Sequence, residues 1–213
     1  TNNPKGYGRV KTQGKYVTSI VEEINTNIEE KNINLCNSGV MICNSGILFN
    51  NLIKVSINKL KKEKFLPDIV NILYKINKSF TYIVASENEM HGVNTMYDFI
   101  RIDKIYQNIL KNNIIDKGVI IYQPETVRLS FDTKIEKGTT IESFVTIKPG
   151  VQIKKNVLVK SYSYIEKSQI SENSSIGPFA RIRPNTKIGK NVKIGNYVEI
   201  KNSTIGDFSS INH

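Results

Sequence analysis

The stretch that decides the fold lies at residues 174–211 and reads SSIGPFARIRPNTKIGKNVKIGNYVEIKNSTIGDFSSI. An isoleucine returns in it every six residues, with one five-residue step, and a smaller residue precedes each isoleucine by two positions. A period of six does not fit an amphipathic α-helix, whose faces recur at three and four residues. It fits short strands that turn a corner after each hexapeptide.

The same pattern extends back to Leu129, and three hexapeptides would close one triangular coil of a parallel β-helix. The aliphatic positions are Leu129, Ile135, Ile141, Ile147, Ile153, Val159, Ile165, Ile170, Ile176, Ile182, Ile188, Ile194, Ile200, Ile205 and Ile211. They predict about five coils and a height of roughly 24 Å at the spacing of paired strands. Residues suited to turns fall at the corners: Gly138, Gly150, Asn156, Asn173, Asn185, Asn191, Asn196 and Asp207.

The residues before the repeat have a mixed α/β character. Apolar spacing predicts strands near Tyr16–Glu22, Leu35–Ile42 and Phe80–Ala85, and helices near Asn51–Leu60 and Leu66–Tyr74. No complete doubly wound domain is evident there, because such a domain needs a parallel core that this stretch alone cannot supply.

A further helical pattern follows and ends at Asp116-Lys117-Gly118; its apolar residues are Met96, Phe99, Ile100, Ile105, Tyr106, Ile109 and Leu110. We therefore expect an α/β segment at residues 1–95, a linker helix at 96–118 and a β-helix at 119–213.

Composition narrows the class of protein. A hydrophobic content of 39% and a charged content of 23% are ordinary for a soluble globular chain, and no apolar run is long enough for a membrane span. We expect a cytoplasmic protein that binds no membrane. Cys36 and Cys43 are expected to be reduced, buried thiols. The net charge of +11 would suit nucleic acid or phosphorylated ligands, but the lysines are scattered, so we interpret them as a solvated surface and expect no nucleic acid partner.

Several short motifs occur in a fixed order along the chain. They are Asn3-Pro4-Lys5-Gly6-Tyr7-Gly8-Arg9-Val10, Ile20-Val21-Glu22, Asn37-Ser38-Gly39, Phe65-Leu66-Pro67-Asp68, Gly92-Val93-Asn94, Gly177-Pro178-Phe179-Ala180-Arg181-Ile182-Arg183-Pro184 and Gly195-Asn196-Tyr197-Val198-Glu199-Ile200-Lys201. This succession resembles the bifunctional family of N-acetylglucosamine-1-phosphate uridylyltransferases and glucosamine-1-phosphate acetyltransferases (GlmU) along essentially the whole chain. The resemblance implies the C-terminal part of a Rossmann-like nucleotidyltransferase domain, followed by a left-handed parallel β-helix.

For the uridylyltransferase, the resemblance implies that Gly8 presents its backbone to the sugar. It also implies that Glu22 and Asn37 hydrogen-bond the sugar hydroxyl and acetamido groups, and that Asn94 helps to ligate Mg²⁺. Cys-Asn-Ser-Gly occurs a second time at Cys43–Gly46, and we prefer Asn37 for its spacing from Glu22. Pro67 stands where the family more often has threonine.

For the acetyltransferase, the resemblance implies that Arg183 and Lys201 hold the sugar phosphate. Alternation along the strand places Arg181 outside as well, so spacing alone does not choose between the two arginines. His213 would be the general base for acetyl transfer from acetyl-CoA, a role that histidine suits at neutral pH.

The implied partners are UTP, N-acetylglucosamine 1-phosphate, glucosamine 1-phosphate, acetyl-CoA and two further copies in a homotrimer. The family's phosphate loop, its metal-binding aspartate and its last coils have no counterpart in this chain. We therefore expect an internal fragment without normal activity of its own. The alternatives are another sugar-nucleotide pyrophosphorylase with a β-helix tail and a non-catalytic β-helix protein.

Overall fold

The computed structural model describes residues 1–58 and 61–213. The chain divides into two compact units, Thr1–Asp98 and Phe99–His213, and each unit has its own hydrophobic core. An α/β part is therefore followed by a parallel β-helix, which confirms the fold class expected from the sequence.

The first unit contains a small antiparallel sheet and two helices. Strand β1 (Arg9–Gln13) forms a hairpin with β2 (Tyr16–Val21), and β3 (Phe80–Thr81) pairs with β2 on its other side. Helix α1 spans Ser45–Leu52 and α2 spans Asp68–Lys75. The buried apolar residues of this unit are Val10, Val17, Ile20, Val55, Ile69, Val70 and Leu73. The sheet is antiparallel among the described residues of 1–98, so the parallel core of a doubly wound domain is not part of them.

Two predicted strands of the first unit are much shorter than expected. Within 35–42 only Cys36 pairs, in an isolated bridge with Arg9, because the chain turns at Gly39, where φ is +82°. Within 80–85 the strand ends at Thr81. Cys36 and Cys43 are free but half-buried rather than buried, since both lie in irregular segments.

The helix predicted near Asn51–Leu60 was placed too late in the sequence. Helix α1 begins at Ser45 because the Oδ1 of Asn44 accepts the Ile47 N–H at 3.1 Å, a typical N-cap, and the helix ends at Leu52. Lys59 and Leu60 lie outside the described residues. Helix α2 is confirmed with shifted ends, and Pro67 directly precedes it.

Helix α3 spans Met96–Ile115, and Gly118 follows it with φ +88°. Thr95 and Asp98 cap its start reciprocally: the Thr95 N–H donates to Asp98 Oδ2 at 2.9 Å, and the Asp98 N–H donates to Thr95 Oγ1 at 3.1 Å. The apolar residues that predicted the helix are mostly exposed. The buried face of α3 instead carries Gln107, Lys111 and Ile114.

The second unit is a parallel β-helix with three faces. Its strands are β4 Ile120–Ile121, β5 Lys134–Ile135, β6 Thr140–Ile141, β7 Thr146–Ile147, β8 Gln152–Ile153, β9 Leu158–Val159, β10 Tyr164–Ile165, β11 Ser168–Ile170, β12 Ser175–Ile176, β13 Arg181–Ile182, β14 Thr186–Ile188, β15 Lys193–Ile194, β16 Glu199–Ile200, β17 Thr204–Ile205 and β18 Ser210–Ile211. The first face contains β7, β10, β13 and β16; the second contains β5, β8, β11, β14 and β17; the third contains β4, β6, β9, β12, β15 and β18.

The predicted inward positions fill the core of the β-helix. Every aliphatic position from Leu129 to Ile200 is buried, and Ile205 and Ile211 in the last coil are half-buried. Strands of successive coils pair in register, so that Ile182 lies beside Ile165 and Ile200. Each isoleucine therefore packs on its counterpart one coil away.

All eight predicted corner residues lie in turns, but two of them do not carry the left-handed conformation. At Asn196 and Asp207 the residue with positive φ is the next one, Tyr197 or Phe208. Along the first face the left-handed residues are aromatic: Phe144, Tyr162, Phe179 and Tyr197 stack with ring centroids 4.8–5.0 Å apart. Stacking offsets the steric cost of a left-handed backbone at a bulky residue.

Helix α3 closes the base of the β-helix. The buried Gln107 amide donates to the Leu129 carbonyl at 2.8 Å and accepts the Leu129 N–H at 3.0 Å. These two bonds take the place of the backbone hydrogen bonds that a preceding coil would form with Leu129. The Lys111 ammonium donates to the Pro124 carbonyl at 2.7 Å, and burial lowers the pKa of this group. On the surface, the Arg128 guanidinium donates two hydrogen bonds to the Asp103 carboxylate.

Candidate functional site

Three residues that are far apart in the sequence come together beside the hairpin of the first unit. Gly8 immediately precedes β1, Glu22 immediately follows β2, and Asn37 follows the bridge at Cys36. Because β1 and β2 are antiparallel, the start of one strand lies beside the end of the other. We call these residues the Gly8 site.

Gly8 is buried and leaves room that a side chain would fill. A Cβ atom at this position would lie 3.4 Å from Glu22 Oε1 and 3.4 Å from Ile20 Cγ2. The Gly8 carbonyl accepts the Asn37 N–H at 2.8 Å, which fixes the third segment against the first. The sequence-predicted residues Gly8, Glu22 and Asn37 thus form one group.

The carboxyl group of Glu22 is in an unfavourable environment for a charge. Partial burial raises its pKa above the usual 4.5, and the negative charge of Asp68 raises it further. Burial also raises the pKa of Asp68, which begins α2. A desolvated carboxyl group is a good partner for a sugar hydroxyl, because a new hydrogen bond replaces water that has already been lost.

The two Cys-Asn-Ser-Gly segments have different roles in the fold. The Asn44 Oδ1 accepts the Ile47 N–H and so caps the start of α1. The Asn37 Oδ1 accepts the Gly39 N–H at 3.2 Å, and its backbone is bonded to Gly8. Asn37 also lines a cleft with Tyr7, Cys36, Val84 and Glu87. Asn37 is preferred over Asn44 as the binding residue because Asn37 is bonded to Gly8 and lines the cleft.

Asn94 lies in the exposed segment that leads into α3, and its backbone N–H donates to Asp98 Oδ2 at 3.1 Å. Residues 1–58 and 61–213 contain no cluster of three or more His, Cys, Asp or Glu that could hold a metal ion. An exposed amide oxygen can ligate Mg²⁺, but magnesium prefers several oxygen ligands in octahedral geometry. Within these described ranges Asn94 is therefore one candidate ligand and not part of a complete magnesium site.

Arg183 and Lys201 are neighbours on the first face of the β-helix. Each directly follows its strand, and the pairing of β13 with β16 places Arg183 one coil away from Lys201. Arg183 donates to Glu199 Oε1 at 2.6 Å, whereas Arg181 lies 3.9 Å from the same oxygen. The side chain of Arg183 is 33% exposed and that of Arg181 is 55% exposed, so Arg183 is the better fixed of the two. Both cations can donate hydrogen bonds to a phosphate, although the charge of Arg183 is shared with Glu199.

His213 follows β18, which belongs to the third face, whereas Arg183 and Lys201 follow strands of the first face. The structure therefore does not bring His213 into the same column as the two cations. The sequence analysis also missed Glu199 as the partner of Arg183. The repeat does predict that Glu199 lies next to Arg181 in the following coil, and this position is close enough to reach Arg183.

Comparisons with known proteins agree with the sequence motifs. The family model described as the GMPPB C-terminal domain matches residues 109–213. Bifunctional protein GlmU of Bartonella bacilliformis is 36% identical over 138 residues, which is 64% of this chain and 30% of that protein. The GlmU proteins of Agrobacterium fabrum and Clostridium perfringens are 34% and 31% identical over 63% and 64% of this chain, again 30% of each relative.

The chain is a sequence relative of GlmU. The recognition made from the ordered motifs is thereby confirmed, and the chain spans about 30% of the length of the GlmU proteins it matches. Within residues 1–58 and 61–213, no helix is both long enough and apolar enough to cross a membrane.

Two solved acetyltransferase structures are similar to a lesser degree. The acetyltransferase domain of PglB from Neisseria gonorrhoeae, in complex with acetyl coenzyme A, is 15% identical with a TM-score of 0.27, covering 52% of this chain and 64% of that one. A variant of GDP-perosamine N-acetyl transferase from Caulobacter crescentus, in complex with CoA and GDP-perosamine, is 14% identical with a TM-score of 0.29, covering 52% and 62%.

Proposed function

We propose that this chain carries sugar-phosphate binding residues of a GlmU-type bifunctional enzyme that makes UDP-N-acetylglucosamine. In this proposal acetyl-CoA acetylates glucosamine 1-phosphate, and UTP then uridylylates N-acetylglucosamine 1-phosphate with release of pyrophosphate. The observation that carries the proposal is the convergence of Gly8, Glu22 and Asn37, which are separated in sequence and joined by one hairpin and one hydrogen bond.

The Gly8 site would select the N-acetylated sugar. The absence of a side chain at Gly8 lets a sugar ring approach the backbone, the Glu22 carboxyl group can accept a bond from a sugar hydroxyl, and the Asn37 amide can pair with the acetamido group. A site that hydrogen-bonds the acetamido group disfavours sugars without it, because its own polar groups are then left unpaired.

Uridylyl transfer also requires that charge on the phosphates be offset, and Mg²⁺ supplies this when bound. Asn94 would offer one amide oxygen to the ion. The other ligands, and the residues that hold UTP, would come from outside these 213 residues. The sugar phosphate would attack the α-phosphorus of UTP, forming one P–O bond while the bond to pyrophosphate breaks.

In acetyl transfer, Arg183 and Lys201 would hold the phosphate of glucosamine 1-phosphate. The His213 imidazole would take a proton from the sugar amine as the nitrogen attacks the thioester carbonyl of acetyl-CoA. A C–N bond forms, the C–S bond breaks, and the thiolate of CoA leaves and takes up a proton. Histidine titrates near neutral pH and so can accept this proton.

The faces of the β-helix bear on the oligomeric state. His213 follows the third face and the two cations follow the first, so a site that combines them is more readily built from two copies than from one. We propose that the β-helices associate as a homotrimer with acetyl-transfer sites between subunits. A cytoplasmic location fits these substrates and remains a prediction.

The test is a one-pot assay of the native protein that contains this chain, with glucosamine 1-phosphate, acetyl-CoA, UTP and magnesium. Formation of UDP-N-acetylglucosamine supports both half-reactions. Conversion of N-acetylglucosamine 1-phosphate and UTP alone would leave only the uridylyltransferase. Failure of both reactions would refute the proposal and favour a non-catalytic β-helix.

The match of residues 109–213 to the GMPPB C-terminal domain favours one second candidate, another sugar-nucleotide pyrophosphorylase with a β-helix tail. This candidate predicts a different nucleotide or a sugar phosphate without the acetamido group. Profiling the native protein against UTP, ATP, GTP and dTTP with several sugar 1-phosphates separates the two functions.

A further inference from the structure

Arg9 is the one charged residue among the described positions that is both fully buried and part of the first unit's sheet. Its side chain is 2% exposed, and one guanidinium nitrogen, Nη1, lies 2.7 Å from Glu23 Oε2. The same nitrogen donates to the Tyr7 carbonyl. Burying a guanidinium is costly, and an apolar residue of similar size would often serve stability as well. The position of Arg9 therefore calls for a reason other than packing.

The contacts of Arg9 reach all three segments of the Gly8 site. Its side chain holds the carbonyl of Tyr7, the residue before Gly8, and the carboxylate of Glu23, the residue after Glu22. Its backbone forms the bridge to Cys36, the residue before Asn37. Two of these contacts belong to the side chain and the third to the backbone, so Arg9 joins the three segments through both.

We propose that Arg9, paired with Glu23, is a positioning residue that sets the relative placement of Gly8, Glu22 and Asn37. The guanidinium is suited to this role because it is planar and offers several donors in fixed directions, which a lysine ammonium does not. Arg9 touches no substrate in this account; it acts through the three residues that do. The inference concerns the geometry of the site and rests on the proposed function only for the identity of the sugar.

The first measurement needs no ligand. The Asn37 N–H, which donates to the Gly8 carbonyl at 2.8 Å, reports whether the segments remain together, and the amides of α2 report whether the unit remains folded. Hydrogen exchange of the full 213-residue chain is compared for the wild type, Arg9→Met and Arg9→Lys. We expect exchange at Asn37 to be at least about tenfold faster in both variants while α2 stays protected.

Lys11 provides a matched control. It lies two residues along the same strand and pairs with Glu30 at 2.9 Å, but its side chain is 44% exposed. Exposed pairs contribute little, so Lys11→Met is expected to leave exchange at Asn37 unchanged. If Arg9→Met and Arg9→Lys behave like Lys11→Met, the positioning role is wrong. If Arg9→Met and Arg9→Lys lose protection equally at Asn37 and in α2, Arg9 stabilises the whole unit, and the positioning role is again wrong.

The second measurement uses N-acetylglucosamine 1-phosphate as the probe. A small displacement of binding groups can cost about 100-fold, so we expect Arg9→Lys to raise the dissociation constant by about 10- to 100-fold, while Lys11→Met leaves it within about twofold. Failure of the wild-type chain to bind the probe, with the Arg9 effect on Asn37 intact, would refute the proposed function and leave this inference standing. Unchanged affinity in Arg9→Lys would overturn the inference alone.

Discussion

Gln107 closes the hydrogen-bond ladder at the base of the β-helix, and its replacement by alanine tests what this closure contributes. The variant removes both partners of Leu129, whose N–H and carbonyl lie 3.0 and 2.8 Å from the Gln107 amide. Leu129 is 4% exposed and Gln107 is 8% exposed, so water replaces these bonds poorly. A buried group left without its partner costs about 1–3 kcal/mol. Two such groups predict a loss of about 2–6 kcal/mol in the stability of the first coil.

Hydrogen exchange measures this loss locally, which matters because each coil of a solenoid contacts only its neighbours. The Arg128 N–H, bonded to the Val145 carbonyl at 3.0 Å, belongs to the affected coil. Its exchange should accelerate roughly 30- to 20,000-fold, the equivalent of about 2–6 kcal/mol. Gln169→Ala on the exposed surface is the control and should change stability by less than about 0.5 kcal/mol. An Arg128 amide that exchanges equally in both variants would refute the reasoning.

Three further predictions concern the core, the charge of the Gly8 site and the aromatic stack. Ile176→Ala, at a fully buried position, should cost about 2–5 kcal/mol in urea unfolding, whereas Ile211→Ala in the half-buried last coil should cost clearly less; equal losses would contradict the packing account. The pKa of Glu22 is raised in the folded chain, so its stabilising contribution is present below the unfolded value near 4.5 and is lost as pH rises through the folded pKa. Glu22→Gln should therefore stabilise the first unit at pH 7 but not at pH 4, and the opposite order in urea titrations at the two pH values would disprove this. Phe179→Asn removes two ring stacks, which together contribute about 1–3 kcal/mol, but asparagine adopts the left-handed backbone more easily than phenylalanine does. A net loss of about 1 kcal/mol in stability is therefore expected in thermal unfolding. A gain in stability would show that the stack does not offset the backbone strain.

The β-helix could be predicted almost residue by residue because its pattern is local. Each hexapeptide contains the residues that form its own strand and corner, and the next coil repeats the same pattern. The pattern places Asn196 and Asp207 at corners, where they lie, but it does not show that the left-handed residue is the following aromatic one. Asn and Gly adopt this conformation most easily, and at Tyr197 the stack on Phe179 one coil away explains an aromatic residue there. Phe208 has no such stack among the described residues.

The first unit was harder to predict because its elements depend on contacts between distant segments. The apolar residues of 35–42 suggest a strand, yet the turn at Gly39 leaves only the bridge at Cys36. Asn44 is the local signal for the start of α1, but the sequence analysis considers it only as part of a second Cys-Asn-Ser-Gly segment, the less preferred one. The members of the Gly8 site were identified through resemblance, and neither the raised pKa of Glu22 nor the contacts of Arg9 could be inferred from spacing.

The most direct test of the central claim is an NMR titration of the chain with N-acetylglucosamine 1-phosphate, glucosamine 1-phosphate and glucose 1-phosphate. Our account predicts that the N-acetylated sugar perturbs the amides of Gly8, Glu22 and Asn37 at concentrations at least about tenfold lower than glucose 1-phosphate does. Equal responses to all three sugars, or perturbations elsewhere in the first unit with none at these three residues, would contradict it.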